Sequence, residues 1–191
     1  VIPAMMEYIA IPAVSPGFVK DWEPSGFLLD ALNCAKTFYE SLELKNSTLQ
    51  IINEPNRTPI LLIEVESTLQ DKEKTVFLYG HLDKQPPAQG WDENKGAFKP
   101  IIENDRLYGR GSADDGYAVF TALTAIKALQ SNNIPHGRCV ILIETCEESG
   151  SFDLEYYIEK YKTNIGTPDL IVCLDSGCGD YERIWVTTSL R

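Results

Sequence analysis

The sequence predicts an α/β fold built on a largely parallel, helix-covered sheet, and three observations carry that expectation. Three of its strand-like segments are continuous β-branched or aliphatic runs rather than alternating ones, as in strands covered on both faces. Segments with apolar residues at spacings of three and four lie between them, as crossover helices would. The best such runs end directly into histidine or acidic residues, where ligand sites of open α/β sheets lie.

In chain order, the expected helices are 1–10, 25–43 ("SGFLLDALNCAKTFYESLE"), 115–132 ("DGYAVFTALTAIKALQSN") and 153–163. The expected strands are 58–66 ("TPILLIEVE"), 75–80 ("TVFLYG"), 139–146 ("CVILIETC"), 169–174 ("DLIVCL") and 183–190. No internal repeat, low-complexity tract or Gly/Ser linker divides the 191 residues, so one unit is expected.

Charge and hydropathy narrow the function classes. With 28 acidic against 17 basic residues and a net charge of -11, no basic stripe is offered to a phosphate backbone, and no nucleic-acid partner is expected. No apolar run approaches the ~20 residues of a membrane span, and the opening lacks the pattern of a signal peptide. The expectation is a cytoplasmic protein with no membrane partner, although an export signal removed beforehand would leave no trace. The five cysteines are an odd number, three of them inside apolar runs, which argues for buried free thiols and against a disulfide framework.

Four segments should meet at one rim. "TVFLYG" ends into His81 and Asp83, "VILIETC" into Glu147 and Glu148, and "DLIVCL" into Asp175, while "RLYGRGSADDG" sets Asp114 and Asp115 just before a helix. Each has an ordinary reading by itself: a hydrogen-bonded histidine, a helix cap, a solvated pair, a turn. Together, several carboxylates within a few ångströms would repel one another unless cations sat among them. Histidine with carboxylate oxygens suits zinc, manganese or cobalt better than calcium. His81 and Asp83, two apart in an extended segment, point the same way, so Asp83 can orient the ring. One of the two adjacent glutamates can bind metal while the other takes a proton from water.

The strings "GHLDKQP", "GWDENKGAFKP", "RLYGRGSADDG", "ETCEESGS" and "LIVCLDSG", with "IAIPAVSP" near the start, resemble in order and spacing the M20 family of dinuclear zinc aminoacylases and dipeptidases, within it the carnosinase-like dipeptidases. The resemblance implies a three-layer sheet of the zinc-exopeptidase type, incomplete in this chain. It implies that two divalent ions, zinc first with manganese or cobalt as alternatives, are held by His81 and Asp175 on one side and Glu148 on the other, with Asp114 bridging. Asp83 would orient His81, Glu147 would be the general base acting on the bridging water, and the Asp114–Asp115 peptide would be cis. The substrate class implied is a dipeptide or N-acyl amino acid cleaved at its amide bond.

Family members are longer, so residues 1–191 are expected to be the N-terminal portion of a metallopeptidase catalytic domain. A lid domain, through which the full protein would form a homodimer, and a C-terminal segment carrying a last metal-binding histidine are both absent from it, and the fragment alone is expected to be weakly active or inactive. Two local departures stand out. Gly116 and Tyr117 follow the aspartates where the family usually has lysine and glycine, and Lys84 stands where an apolar residue is common; a solvated lysine is expected there. His136 is expected to be an exposed loop residue at the wrong end of its strand to replace the missing ligand. The alternatives to an amidohydrolase are dinuclear phosphoester hydrolysis and a non-catalytic metal-binding module.

Overall fold

The computed structural model describes residues 1–69, 74–180 and 182–186. In chain order its elements are α1 (Ile2–Ala10), α2 (Trp22–Ser25), α3 (Phe27–Leu42), β1 (Ser47–Ile52), β2 (Ile60–Val65), β3 (Thr75–His81), β4 (Ile101–Glu103), β5 (Arg106–Tyr108), α4 (Tyr117–Ser131), β6 (Arg138–Glu144), α5 (Leu154–Lys160), α6 (Lys162–Ile165) and β7 (Leu170–Cys173). Among the described residues, β1, β2, β6, β3 and β7 form one sheet in that order.

The sheet is buried on both faces, which is why its strands read as continuous apolar runs. Alternate residues divide between two cores. Leu61, Ile63 and Val65 of β2 with Cys139, Ile141 and Ile143 of β6 face α1, α3 and α4, through Tyr8, Ile9, Leu32, Phe120 and Leu123. Ile60, Leu62, Val140, Leu142 and Phe77 face Tyr157 of α5 and Ile165 of α6. The result is helix, sheet, helix: three layers.

β6, β3 and β7 run parallel, with Thr75 opposite Arg138, His81 opposite Glu144 and Tyr79 opposite Cys173. β2 is antiparallel to β6 and to β1, so four of these five strands point one way and β2 is the reversed one. The parallel trio matters for function, because the chain leaves β3, β6 and β7 at the same rim, and α4 starts there too.

Some boundaries differ from the expectation. The second helix begins at Phe27, because Gly26 takes a left-handed conformation (φ 73°) between α2 and α3. The fourth is broken at Tyr161 into α5 and α6. β1 was not expected; as the edge strand its sides alternate between half-buried and exposed. The hairpin of β4 and β5 turns on Asn104 and Asp105, both at positive φ, a tight-turn pair that the sequence does contain. Residues 183–186 form no strand, and 187–190 lie outside the described residues. No helix among the described residues is long and apolar enough to cross a membrane.

All five cysteines are free, but Cys173, on the edge strand β7, and Cys178, in the segment after it, are exposed. His136 is a further correction. It is buried, with Nδ1 2.8 Å from the Gly137 carbonyl, and its own N–H donates to Thr68 Oγ1. It does sit just before β6, at the end of the sheet opposite the rim.

Candidate metal centre

His81 ends β3 with no exposed surface, and its backbone N–H donates to Asp115 Oδ2 at 3.1 Å. Ring Nδ1 lies 3.0 Å from the Asp83 carbonyl oxygen and 3.3 Å from Asp83 Oδ1, which turns Nε2 toward the rim. Nε2 is buried and has no hydrogen-bond partner. Around it stand Asp114 Oδ1 at 3.3 Å, Asp175 Oδ2 at 3.7 Å and Glu147 Oε2 at 3.7 Å. His81, Asp114 and Asp175 each offer a donor atom within 4.8 Å of the others.

An orphaned buried imidazole nitrogen is costly in a protein interior. A divalent cation accepts its lone pair and offsets the surrounding carboxylates, and one nitrogen with carboxylate oxygens is a donor set that zinc or manganese takes. The residues present therefore fit a metal ion. Without one, burial disfavours the imidazolium, but the side-chain hydrogen bond and charge of Asp83, with Asp115 and Asp175, outweigh it and push His81 up to about 10.

The two glutamates ride on a single 3-10 turn, Glu147–Ser149, directly after β6. Asp83 reaches both: its Oδ1 accepts the Glu147 N–H and its Oδ2 the Glu148 N–H, each at 3.1 Å. The same fully buried carboxylate thus aligns the histidine and the glutamate turn, of which the sequence indicated only the first. Glu147 points to His81; burial, then the charges of Asp175, Glu148 and Asp83, raise its pKa against the opposing pull of His81. Glu148 lies outside the three-residue cluster: Oε2 accepts from the Gln85 amide, and Oε1 is buried without a partner. Burial raises its pKa as well, with the charge of Asp114 contributing.

Several supports went unread in the sequence. Glu144, at the buried end of β6, accepts from Tyr79 Oη (2.5 Å), Ser151 Oγ (2.9 Å) and Cys146 Sγ (3.2 Å), closing the base of the segment that carries both glutamates. On the outer side, Ser149 Oγ meets Ser15 Oγ at 2.5 Å and accepts the Gly17 N–H at 2.7 Å.

The expected cis peptide between Asp114 and Asp115 is present. Asp115 is fully buried beneath the cluster, and burial pushes its carboxyl up to about 8. Gly116 follows because the Tyr8 ring lies against it: a Cβ there would fall 2.0 Å from Tyr8 Cε1. This accounts for the shifted glycine, since the chain needs its smallest residue over that ring before α4 begins.

Lys84 corrects the expectation of a solvated side chain. It has no exposed surface, and Nζ donates to the carbonyls of Tyr8 (2.8 Å), Ile9 (3.2 Å) and Ile11 (2.6 Å), 4.0 Å from the Tyr8 ring centroid. They lie at and just past the end of α1, at the negative end of its dipole; those of Tyr8 and Ile11 also accept the N–H groups of Ile11 and Ala13. Burial pushes the ammonium down to about 7, against a smaller opposing pull from Cys34. Replacing Lys84 by Met should lower stability by about 1–3 kcal/mol by removing a charged donor shared among three carbonyls, read as a shifted urea midpoint. An unshifted midpoint would mean the carbonyls are satisfied without it.

The chain is similar to known metallopeptidases. A Cys-Gly metallodipeptidase of Candida albicans is 33% identical over 175 residues, covering 85% of this chain and 35% of that protein. Human carnosine dipeptidase 1 superposes with a TM-score of 0.73 at 25% identity, over 92% of this chain and 38% of its own. An M20 family metallo-carboxypeptidase of Sulfolobus solfataricus gives 0.73 at 27% identity, over 92% and 37%. The chain therefore spans well under half the length of these relatives. Residues 77–184, which hold the whole cluster of His81, Asp114 and Asp175 together with both glutamates, match the family model described as Peptidase family M20/M25/M40, and the chain belongs to that family.

Proposed function

We propose that the protein is a metal-dependent hydrolase that cleaves the amide bond of dipeptides or N-acyl amino acids, with residues 1–191 forming the N-terminal portion of its catalytic domain. The observation that carries this reading is the buried, unpartnered Nε2 of His81 facing Asp114, Asp175 and Glu147. The dipeptidase names of the matched relatives support the substrate class, and the short share of each relative that the chain spans supports the domain reading. Homodimerisation through a lid domain belongs to the same proposal. Five free thiols suit a reducing, cytoplasmic setting.

His81, Asp114 and Asp175 would hold one divalent ion, and Glu148 with Asp114 a second, zinc, manganese or cobalt by donor type. Bound ions of this kind polarise a scissile carbonyl and make water a stronger acid. The Glu147 carboxylate takes the proton of the attacking water and returns it to the leaving amine. Its raised pKa makes it a stronger base for the first half of that task. Asp83 keeps ring and glutamate turn in register throughout.

The test is metal content of purified protein incubated with zinc or manganese, wild type against Asp114→Ala. Stoichiometric uptake that disappears in the variant is expected. A folded wild type that takes up no metal would remove the basis of the reading, and phosphoester rather than dipeptide hydrolysis by the whole protein would replace it.

A further inference from the structure

β7 is a weak platform for a metal ligand. It has four residues, and among the described residues it pairs only with β3. Leu170 and Ile171 are 55% and 64% exposed. Its last backbone tie, Leu174 N–H to the Tyr79 carbonyl, is long at 3.5 Å, and no regular structure follows among the described residues. Asp175 is the next residue, yet its carboxylate belongs to the cluster around His81.

The missing restraint comes from across the rim. Tyr117, the first residue of α4, packs its ring on the larger core and donates its phenol O–H to the Leu174 carbonyl. Burial and the carboxylates of Asp115 and Asp175 raise the phenol pKa, which favours the donor form. A glycine, usual here in the family that the sequence resembles, has no side chain with which to make this tie.

We propose that Tyr117 is a positioning residue for Asp175: by holding the Leu174 carbonyl, it fixes the carboxylate at the end of an exposed edge strand within reach of His81. The proposal rests on the metal-site reading. An outer contact of this kind is expected to be worth about tenfold in metal affinity.

The experiment compares wild type, Tyr117→Phe, Asp175→Ala and the double variant in the longest chain that can be produced. The probes are zinc alone by competition titration, and amide hydrogen exchange of the metal-free protein. Tyr117→Phe should bind zinc about tenfold more weakly, with faster exchange confined to residues 174–178 and an unchanged urea midpoint. In the Asp175→Ala background the same substitution should cost no further affinity, since the ligand it positions is gone. An equal loss in both backgrounds, or unchanged affinity with unchanged exchange, would overturn the proposal. A wild type that binds no zinc would sink the metal reading and the affinity claim with it; exchange at 174–178 would then decide by itself whether Tyr117 holds this segment.

Discussion

Substituting Glu147 by glutamine in the whole protein is expected to lower kcat for dipeptide hydrolysis about 10²–10⁴-fold, with metal content and KM little changed. The amide keeps the shape of the side chain and its place 3.7 Å from His81 Nε2 but accepts no proton. The turn that carries it is fixed through backbone N–H groups and through Ser149, none of which the substitution touches. Steady-state kinetics with parallel metal analysis read the result. A variant that retained more than a tenth of wild-type kcat would remove Glu147 from the proton path. Loss of metal along with activity would make it a ligand instead.

Asp83→Ala should do damage of another kind, because one carboxylate serves three partners. Its loss leaves the Glu147 and Glu148 N–H groups without acceptors and takes from the His81 ring the carboxylate that does most to favour its charged form. Breaking a buried charged contact by removing one side costs about 3–5 kcal/mol, so urea denaturation of metal-free protein should shift strongly. Where the variant still folds, zinc affinity should fall about 10–100-fold. Asp83→Asn separates the two effects: the amide oxygen can still accept one N–H, so stability should recover more than affinity does. Stability within 1 kcal/mol of wild type for Asp83→Ala would show that the turn is held by Ser149 and Glu144 alone.

What could be read in advance followed from burial. β3 and β6 declared themselves because both of their faces are covered, and the ends of parallel strands then pointed to His81, Glu147 and Asp175. β1 did not, since an edge strand with polar residues on its open side carries a weaker pattern. The role of Asp83 toward His81 was legible from their spacing. Its grip on the glutamate turn was not, because that depends on β3 and β6 lying side by side in register. Lys84 shows the limit most clearly: its acceptors are backbone carbonyls at the end of a helix and just after it, more than seventy residues earlier, and a carbonyl has no letter in a sequence. Glu144 lay unremarked within the run "CVILIETC", and only the arrival of Tyr79, Cys146 and Ser151 makes it a hub.

The register of β3 also bears on how the molecule assembles in time. It lies between β6 and β7, so Thr75 must find Arg138 and Val76 must find Leu170, partners far along the chain. Such pairings incur loop-closure entropy before they gain contacts, which places them among the slow steps of folding. The donor atoms of the rim sit on the ends of these same strands and come together only when the pairings are complete. Zinc added during refolding should therefore be captured no faster than the slowest phase seen by tryptophan fluorescence, so that the ion reports a finished sheet rather than seeding one.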